Sequence, residues 1–195
     1  MRRYILSEQA YLDLLQEFVD ESETGKLNSD RTGVGTYSLF HRTLRFNLQE
    51  GFPLLTTKRM GLKSIVGELL WFISGSTNAN ELKEKYGCTI WDEWKDEDGN
   101  LGNIYGHQWC NFGGMRNGNI GLGGFDQLNW LINEIKTNPT SRRLYVTAAD
   151  PNSRYEQVLD CCHNYFQVVI KNEKLNLYFQ MRSNDLFLGN PYNIA

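Results

Sequence analysis

The sequence predicts an α+β fold in which helices cover a mostly antiparallel or mixed sheet. Two observations lead to this prediction. Apolar residues recur every three or four positions in three segments, which indicates amphipathic helices, while strand-like runs dominate the last third of the chain. With 195 residues, of which 41% are hydrophobic and 22% charged, the chain is large enough for one sizeable core. We therefore expect a single domain over residues 1–195.

Three segments are predicted to be helices. The first follows Ser7 and ends near Gly25, and the second covers residues 62–73, which are strongly apolar. The third begins after Asp126, a residue type that caps helices, and ends at Asn138-Pro139. Each segment has an apolar side that can cover a core.

Four segments are predicted to be strands. Residues 43–48 alternate between apolar and polar side chains, as a half-buried strand does. The other three strands cover residues 144–148, 165–170 and 175–182, and a tight turn at Asn172-Glu173 joins the last two as a hairpin. The last strand has one polar face, which suggests a site beside the sheet. The glycine-rich residues 96–125 are predicted to form long loops.

Composition and charge exclude several classes of protein. The net charge is −3 and the pI is near 5.7, so we expect no DNA or RNA partner. No apolar stretch approaches membrane-spanning length, and the N-terminal segment lacks the apolar run of a signal peptide. The four Cys lack the paired spacings of a zinc site. We expect a cytoplasmic protein with reduced thiols and no metal.

Cys162 followed by His163 is the first candidate for chemistry, because a thiolate is a strong nucleophile. Two packed core thiols, Cys161 and Cys162, are the alternative, since Cys is often buried. The interpretation of Cys162 as a nucleophile is favoured if arginines bind a phosphate beside the thiol. Arginines are also common on solvated surfaces. The three arginines concerned are Arg142, Arg143 and Arg182.

Other polar residues in unusual settings are further candidates. Glu68 lies in a very apolar helix, where it either reaches solvent at an edge or shuttles protons in a dry cleft. Asn193 and Asp185 flank a Gly/Pro turn, and an Asn amide can both donate to and accept from a uracil-like edge. Asn in such a segment is also a common turn former. Trp91 and Trp94 belong to the core or to a cleft wall.

Eight collinear segments resemble the thymidylate synthase superfamily, from about residue 10 to the last residue. They are DRTGVGT (30–36), FPLLTTKR (52–59), GELLWFISGSTN (67–78), IWDEW (90–94), IYGHQW (104–109), SRRLYV (141–146), CCH (161–163) and RSNDLFLGNPYNIA (182–195). The resemblance implies an α/β sandwich that forms a homodimer. It also implies transfer of a one-carbon unit from 5,10-methylenetetrahydrofolate to carbon 5 of a pyrimidine nucleotide.

The resemblance also implies a role for each matching residue. Cys162 is the nucleophile that adds to carbon 6 of the pyrimidine. Glu68, Tyr105 and His163 support proton transfer and the water network around the base. The 5′-phosphate is held by Arg31, Arg182 and Ser183, joined by Arg142 and Arg143 from the partner subunit. The folate is contacted by Asp185, Gly189, Trp91 and Trp94. Asn193 occupies the position at which members of the superfamily that act on deoxyuridylate (dUMP) carry Asn and those that act on deoxycytidylate (dCMP) carry Asp.

Several positions depart from the family pattern. Most thymidylate synthases carry Pro before the nucleophile, Gln before the phosphate Arg, and Trp-Asn where this chain has Ala149-Asp150; the first two positions are Cys161 and Met181 here. The run MRSND (181–185) resembles the pyrimidine nucleotide hydroxymethylases of the same superfamily. The leading expectation is therefore thymidylate synthase acting on dUMP, and the alternative is a dUMP or dCMP hydroxymethylase.

The end of the chain supplies a third alternative. The family pattern continues past NIA, and its C-terminal part is absent from this sequence. The expectation is a truncated domain that is inactive or needs a second chain, because missing substrate contacts and an open site reduce orientation and water exclusion.

Overall fold

The computed structural model describes residues 6–30, 33–114 and 123–195 and confirms the α+β class. Within these residues the helices are α1 (Leu6–Thr24), α2 (Leu62–Ile73), α3 (Ala79–Tyr86), α4 (Tyr105–Cys110), α5 (Gln127–Thr137) and α6 (Asn190–Ile194). The strands are β1 (Tyr145–Thr147), β2 (His163–Lys171) and β3 (Lys174–Met181), and short 3₁₀ helices cover Leu48–Glu50 and Pro151–Glu156. None of the helices in the described ranges is long and apolar enough to cross a membrane.

Backbone contacts divide the chain into two compact units. One unit comprises Met1–Met60 with Asp185–Ala195, and the other comprises Gly61–Asn184. The expectation of a single domain stays a prediction.

The first unit joins the two ends of the chain through α1. The buried Glu8 carboxylate accepts hydrogen bonds from the backbone N–H groups of Thr56 and Thr57, at 2.6 and 3.0 Å. The buried Tyr11 hydroxyl donates to the carbonyl of Leu186, at 3.0 Å. Because each buried polar group of α1 finds a partner, the helix can cover this unit without an unpaired charge.

The predicted strand over residues 43–48 is wrong. Leu44 and Phe46 are half-buried while Arg45 and Asn47 are exposed, so the alternation does produce two different sides. However, this segment pairs with no strand of the described ranges, and Leu48–Glu50 forms a 3₁₀ helix capped by the Asn47 side chain. The Asn47 side chain thus makes a local hydrogen bond to the backbone, and the segment has no partner strand in the described ranges with which to form a ladder.

The second unit contains the sheet, with strand order β1-β2-β3 and antiparallel pairing throughout. The three predicted strands and the hairpin turn are confirmed. Asn172 and Glu173 have φ angles of 52° and 60°, which is the left-handed conformation that a two-residue hairpin turn needs. The turn therefore fixes β3 beside β2.

The core of the second unit lies between α2, α4, α5 and one side of the sheet. Its largest fully buried apolar side chains are Trp71, Leu82, Leu101, Ile104 and Leu144. The predicted helices α2 and α5 are confirmed, and the Asp126 carboxylate caps α5 by accepting from the N–H of Asn129 at 2.9 Å. Helix α3 was not predicted, and the prediction of long loops over residues 96–125 is wrong at α4. Residues 115–122 of that segment lie outside the described residues.

Candidate active site

The segment around Cys162 is held by the hydroxyl of Tyr105. This hydroxyl accepts hydrogen bonds from the backbone N–H of Cys162, at 2.8 Å, and of His163, at 3.5 Å. Tyr105 belongs to the short helix α4 and is 5% exposed. Burial raises its pKa above the ordinary value, so the hydroxyl stays protonated at neutral pH. Tyr105 therefore fixes the backbone at the thiol and the start of β2.

Arg182 holds the same segment from the end of β3. Its Nε donates to the carbonyl of Cys161 at 3.1 Å, and its Nη2 donates to the carbonyl of Asp160 at 2.7 Å. The antiparallel pairing of β2 with β3 also places the backbone N–H of Arg182 at 3.0 Å from the carbonyl of Cys162. Since Arg182 is exposed, part of its guanidinium remains open to a ligand.

The two adjacent thiols lie in different surroundings. Cys161 is 6% exposed, and burial raises its pKa to about 12, with Cys162 and Asp160 adding to the rise. A thiol with this pKa stays protonated at neutral pH and is a poor nucleophile. Cys162 is only half-buried, and its Sγ lies 3.8 Å from the carbonyl of Asp160. Of the two, Cys162 is accessible to a substrate.

Glu68 projects from α2 toward Trp91, whose indole N–H donates to Glu68 Oε1 at 2.7 Å. Burial raises the pKa of the Glu68 carboxyl, and the hydrogen bond from Trp91 opposes part of that rise. The Trp91 ring lies 6.3 Å from the ring of Tyr105, centroid to centroid. Trp91 thus connects the Glu68 carboxyl to Tyr105, the residue that holds the Cys162 backbone. A carboxyl of raised pKa exchanges protons near neutral pH more readily than an ordinary carboxyl does.

Other predicted residues are exposed at the surface. Arg142 and Arg143 are exposed in the turn before β1. Trp94 is 40% exposed, and Ser183 follows Arg182 at the surface. Arg31 lies outside the described residues.

Asp185, Gly189 and Asn193 belong to the first unit. The Asp185 carboxylate accepts hydrogen bonds from the N–H groups of Phe187 and Leu188, at 3.0 and 2.6 Å. Gly189 precedes α6, and its carbonyl accepts from the N–H of Asn193 at 3.0 Å. The Asp185 side chain therefore stabilises the turn that precedes α6. Asn193 is half-buried on α6.

The sequence reasoning missed two glutamines that support the Cys162 segment. Gln108 is fully buried and donates through Nε2 to the carbonyl of Asn103, at 2.8 Å, and to Ser153 Oγ, at 2.7 Å. Gln157 accepts from the backbone N–H of Cys161 at 3.2 Å. Gln108 lies in the IYGHQW motif, which was a usable signal, whereas no motif marks Gln157. In the described ranges, His, Cys, Asp and Glu form no group of three that could hold a metal ion.

Comparison with known families shows the family of the chain. A family model described as thymidylate synthase matches residues 9–195. The chain belongs to the thymidylate synthase family. Enzymes of the thymidylate synthase family are of the methyltransferase type, serve dTMP biosynthesis and use methylenetetrahydrofolate as cosubstrate. The family match includes the segments that carry Glu68, Tyr105, Cys162 and Arg182.

Proposed function

We propose that this chain is a thymidylate synthase that converts dUMP to dTMP. The observation that carries the proposal is the half-buried thiol of Cys162, fixed by Tyr105 and Arg182 beside the protonated thiol of Cys161. The Cys162 sulfur adds to carbon 6 of the pyrimidine, which makes carbon 5 nucleophilic. Glu68 supports the proton transfers that accompany this addition. Methylenetetrahydrofolate supplies the one-carbon unit and the hydride, and leaves as dihydrofolate.

The proposed substrate contacts follow from the same residues. Arg182 and Ser183, with Arg31, bind the 5′-phosphate through charge-assisted hydrogen bonds. Asp185, Gly189, Trp91 and Trp94 contact the folate, and His163 supports the water network around the base. Asp185 and Asn193 lie in the first unit, so their roles rest on the family resemblance rather than on a contact with Cys162.

We further propose a cytoplasmic homodimer in which Arg142 and Arg143 reach the phosphate of the other subunit. Two observations support this arrangement. Both arginines are exposed at the edge of the second unit. The apolar side chains of β3 are exposed as well, with Leu175 at 59% and Leu177 at 61%. Adjacent exposed apolar side chains on a sheet commonly form subunit interfaces.

Product analysis tests the reaction. The chain is incubated with dUMP and methylenetetrahydrofolate, the nucleotide is analysed by mass spectrometry, and dihydrofolate absorbance is followed in the same tube. We expect methylated nucleotide with dihydrofolate formed in step. Absence of any nucleotide product would contradict the proposal.

A second candidate function is pyrimidine nucleotide hydroxymethylase. The observations that favour it are the MRSND run over residues 181–185 and Ala149, which is exposed at a position where the family pattern has Trp. In that reaction water adds to the exocyclic methylene, and folate leaves as tetrahydrofolate without giving up a hydride. Hydroxymethylated nucleotide without dihydrofolate would establish this outcome instead.

Replacing Asn193 by Asp is expected to move the preference from dUMP toward dCMP. The amide of Asn offers one donor and one acceptor to a uracil edge, whereas a carboxylate only accepts and suits the amino group of cytosine. We expect kcat/KM for dUMP to fall by about a hundredfold or more and that for dCMP to rise. The measurement is tritium release from carbon 5 of both labelled nucleotides. An Asn193→Asp enzyme with unchanged preference would remove Asn193 from the base-reading site.

A further inference from the structure

Both backbone polar groups of Cys161, the residue before Cys162, are hydrogen-bonded to side chains. The side-chain oxygen of Gln157 accepts from the backbone N–H of Cys161 at 3.2 Å, and Arg182 Nε donates to the Cys161 carbonyl at 3.1 Å. Most sequences with the family pattern carry Pro at this position, and Pro has no N–H. This chain therefore has a backbone donor in a buried segment where the pattern has none, and an unpaired donor there would be costly.

The orientation of the Gln157 amide is fixed by Ser153. Gln157 Nε2 donates to Ser153 Oγ at 3.3 Å, and the same hydroxyl accepts from Gln108 Nε2 at 2.7 Å and donates to the carbonyl of Asp150 at 3.4 Å. Ser153 is buried, and these three bonds use its proton and both lone pairs. The Gln157 nitrogen is thus committed to Ser153, which leaves its oxygen directed at Cys161.

We propose that Gln157 is a positioning residue for the nucleophile. Its amide oxygen accepts a hydrogen bond from the backbone N–H of Cys161, which a Pro at this position would lack. This bond holds the backbone that leads into Cys162. The Tyr105 hydroxyl accepts from the next N–H, that of Cys162. Together with the hydrogen bonds of Arg182, these contacts fix the direction in which the Cys162 side chain projects from the backbone. The inference rests on the proposed function, in which Cys162 attacks the pyrimidine. Its distinctive consequence is that Gln157 is needed only when residue 161 has an N–H.

A double-mutant cycle tests this consequence. The variants are Gln157→Leu, Cys161→Pro and the double variant, with Gln16→Leu on the exposed face of α1 as the matched control. One readout is tritium release from carbon 5 of dUMP, which both candidate reactions produce. The other is hydrogen exchange of the peptide covering residues 158–164, followed by mass spectrometry, which needs no activity. Gln157→Glu, which keeps an acceptor oxygen, serves as the conservative variant.

We expect Gln157→Leu to lower kcat by about tenfold, to change KM for dUMP by less than about threefold, and to accelerate exchange in the 158–164 peptide. Gln157→Glu is expected to keep kcat within about threefold of the wild type. In the Cys161→Pro background, the same Leu substitution is expected to lower kcat by less than about threefold, because no N–H then needs the acceptor.

Two results would overturn the inference. One is unchanged exchange in Gln157→Leu, whether or not the wild type is active. The other is an equal loss of kcat from Gln157→Leu in the Cys and Pro backgrounds, which would indicate a general packing role. A wild type that releases no tritium while Gln157→Leu still accelerates exchange would contradict the proposed function and leave the hydrogen bond to Cys161 in place.

Discussion

Replacing Cys162 by Ala is expected to lower tritium release from carbon 5 of dUMP by at least about a thousandfold, because the substitution removes the proposed nucleophile for carbon 6. Cys161→Ala is the matched control, one residue away. Its thiol is buried and has a pKa of about 12, so it cannot supply the thiolate. We expect Cys161→Ala to keep activity within about tenfold of the wild type, the loss coming from the packing of a buried thiol.

Mass spectrometry of the protein provides a second check on this pair. A covalent adduct with a 5-fluorinated dUMP and folate is expected in Cys161→Ala and absent in Cys162→Ala. A Cys161→Ala protein as inactive as Cys162→Ala, and without adduct, would show that the assignment of the nucleophile is wrong.

Replacing Glu68 by Gln is expected to lower kcat by about a hundredfold or more, because Gln cannot exchange a proton with the base or with bound water. The substitution nearly preserves shape, and its amide oxygen can still accept from the indole N–H of Trp91. Trp91→Phe is the matched comparison, since it removes the donor and leaves the carboxyl. We expect a smaller loss of kcat from that variant. Equal losses would indicate that the pair has a structural role only.

The raised pKa of Glu68 also predicts how stability depends on pH. A carboxyl whose pKa is higher in the folded than in the unfolded state stabilises the fold below the unfolded value and loses that contribution as pH rises through the folded value. The pH range in which this contribution is lost therefore begins near 4.5, the ordinary pKa of the carboxyl, and extends upward. We call this range the window. Relative to the wild type, Glu68→Gln should gain thermal stability across this window and none below it.

The measurement is the Tm of both proteins from about pH 4 to about pH 8. A difference that stays constant over this range would contradict the raised pKa. Trp91→Phe should extend the window to higher pH, because the hydrogen bond from Trp91 lowers the pKa of Glu68.

The helices that could be predicted are those with an uninterrupted apolar side. Helices α1, α2 and α5 have it, and their boundaries follow from the sequence within a few residues. Helix α3 was missed because it buries only Ala79 and Leu82. Its terminal signals were nevertheless present: the Asn78 side chain caps its first turn, and Gly87 ends it with a φ of 68°.

Long-range contacts explain what the sequence could not provide. The alternation at Leu44 and Phe46 gave the correct half-buried side chains, but a strand also needs a partner, and pairing is not a local property. In the same way, motifs identified Tyr105 and Cys162 as candidates without showing that the tyrosine hydroxyl accepts from the Cys162 N–H. That bond depends on how α4 packs beneath β2. Gln157 belongs to no motif, and its contact with the Cys161 N–H exists only in the folded chain.

The two-residue turn at Asn172-Glu173 has a consequence for which changes in chain length this protein tolerates. Exposed turns usually accept inserted residues at little cost. Here the turn sets which residue of β3 faces each residue of β2, and one extra residue would slide β3 and reverse the side on which its side chains lie. Arg182 would then no longer meet the carbonyls of Asp160 and Cys161. An insertion at this distant, solvent-exposed tip would therefore be expected to disturb the backbone around Cys162 while leaving the hairpin folded.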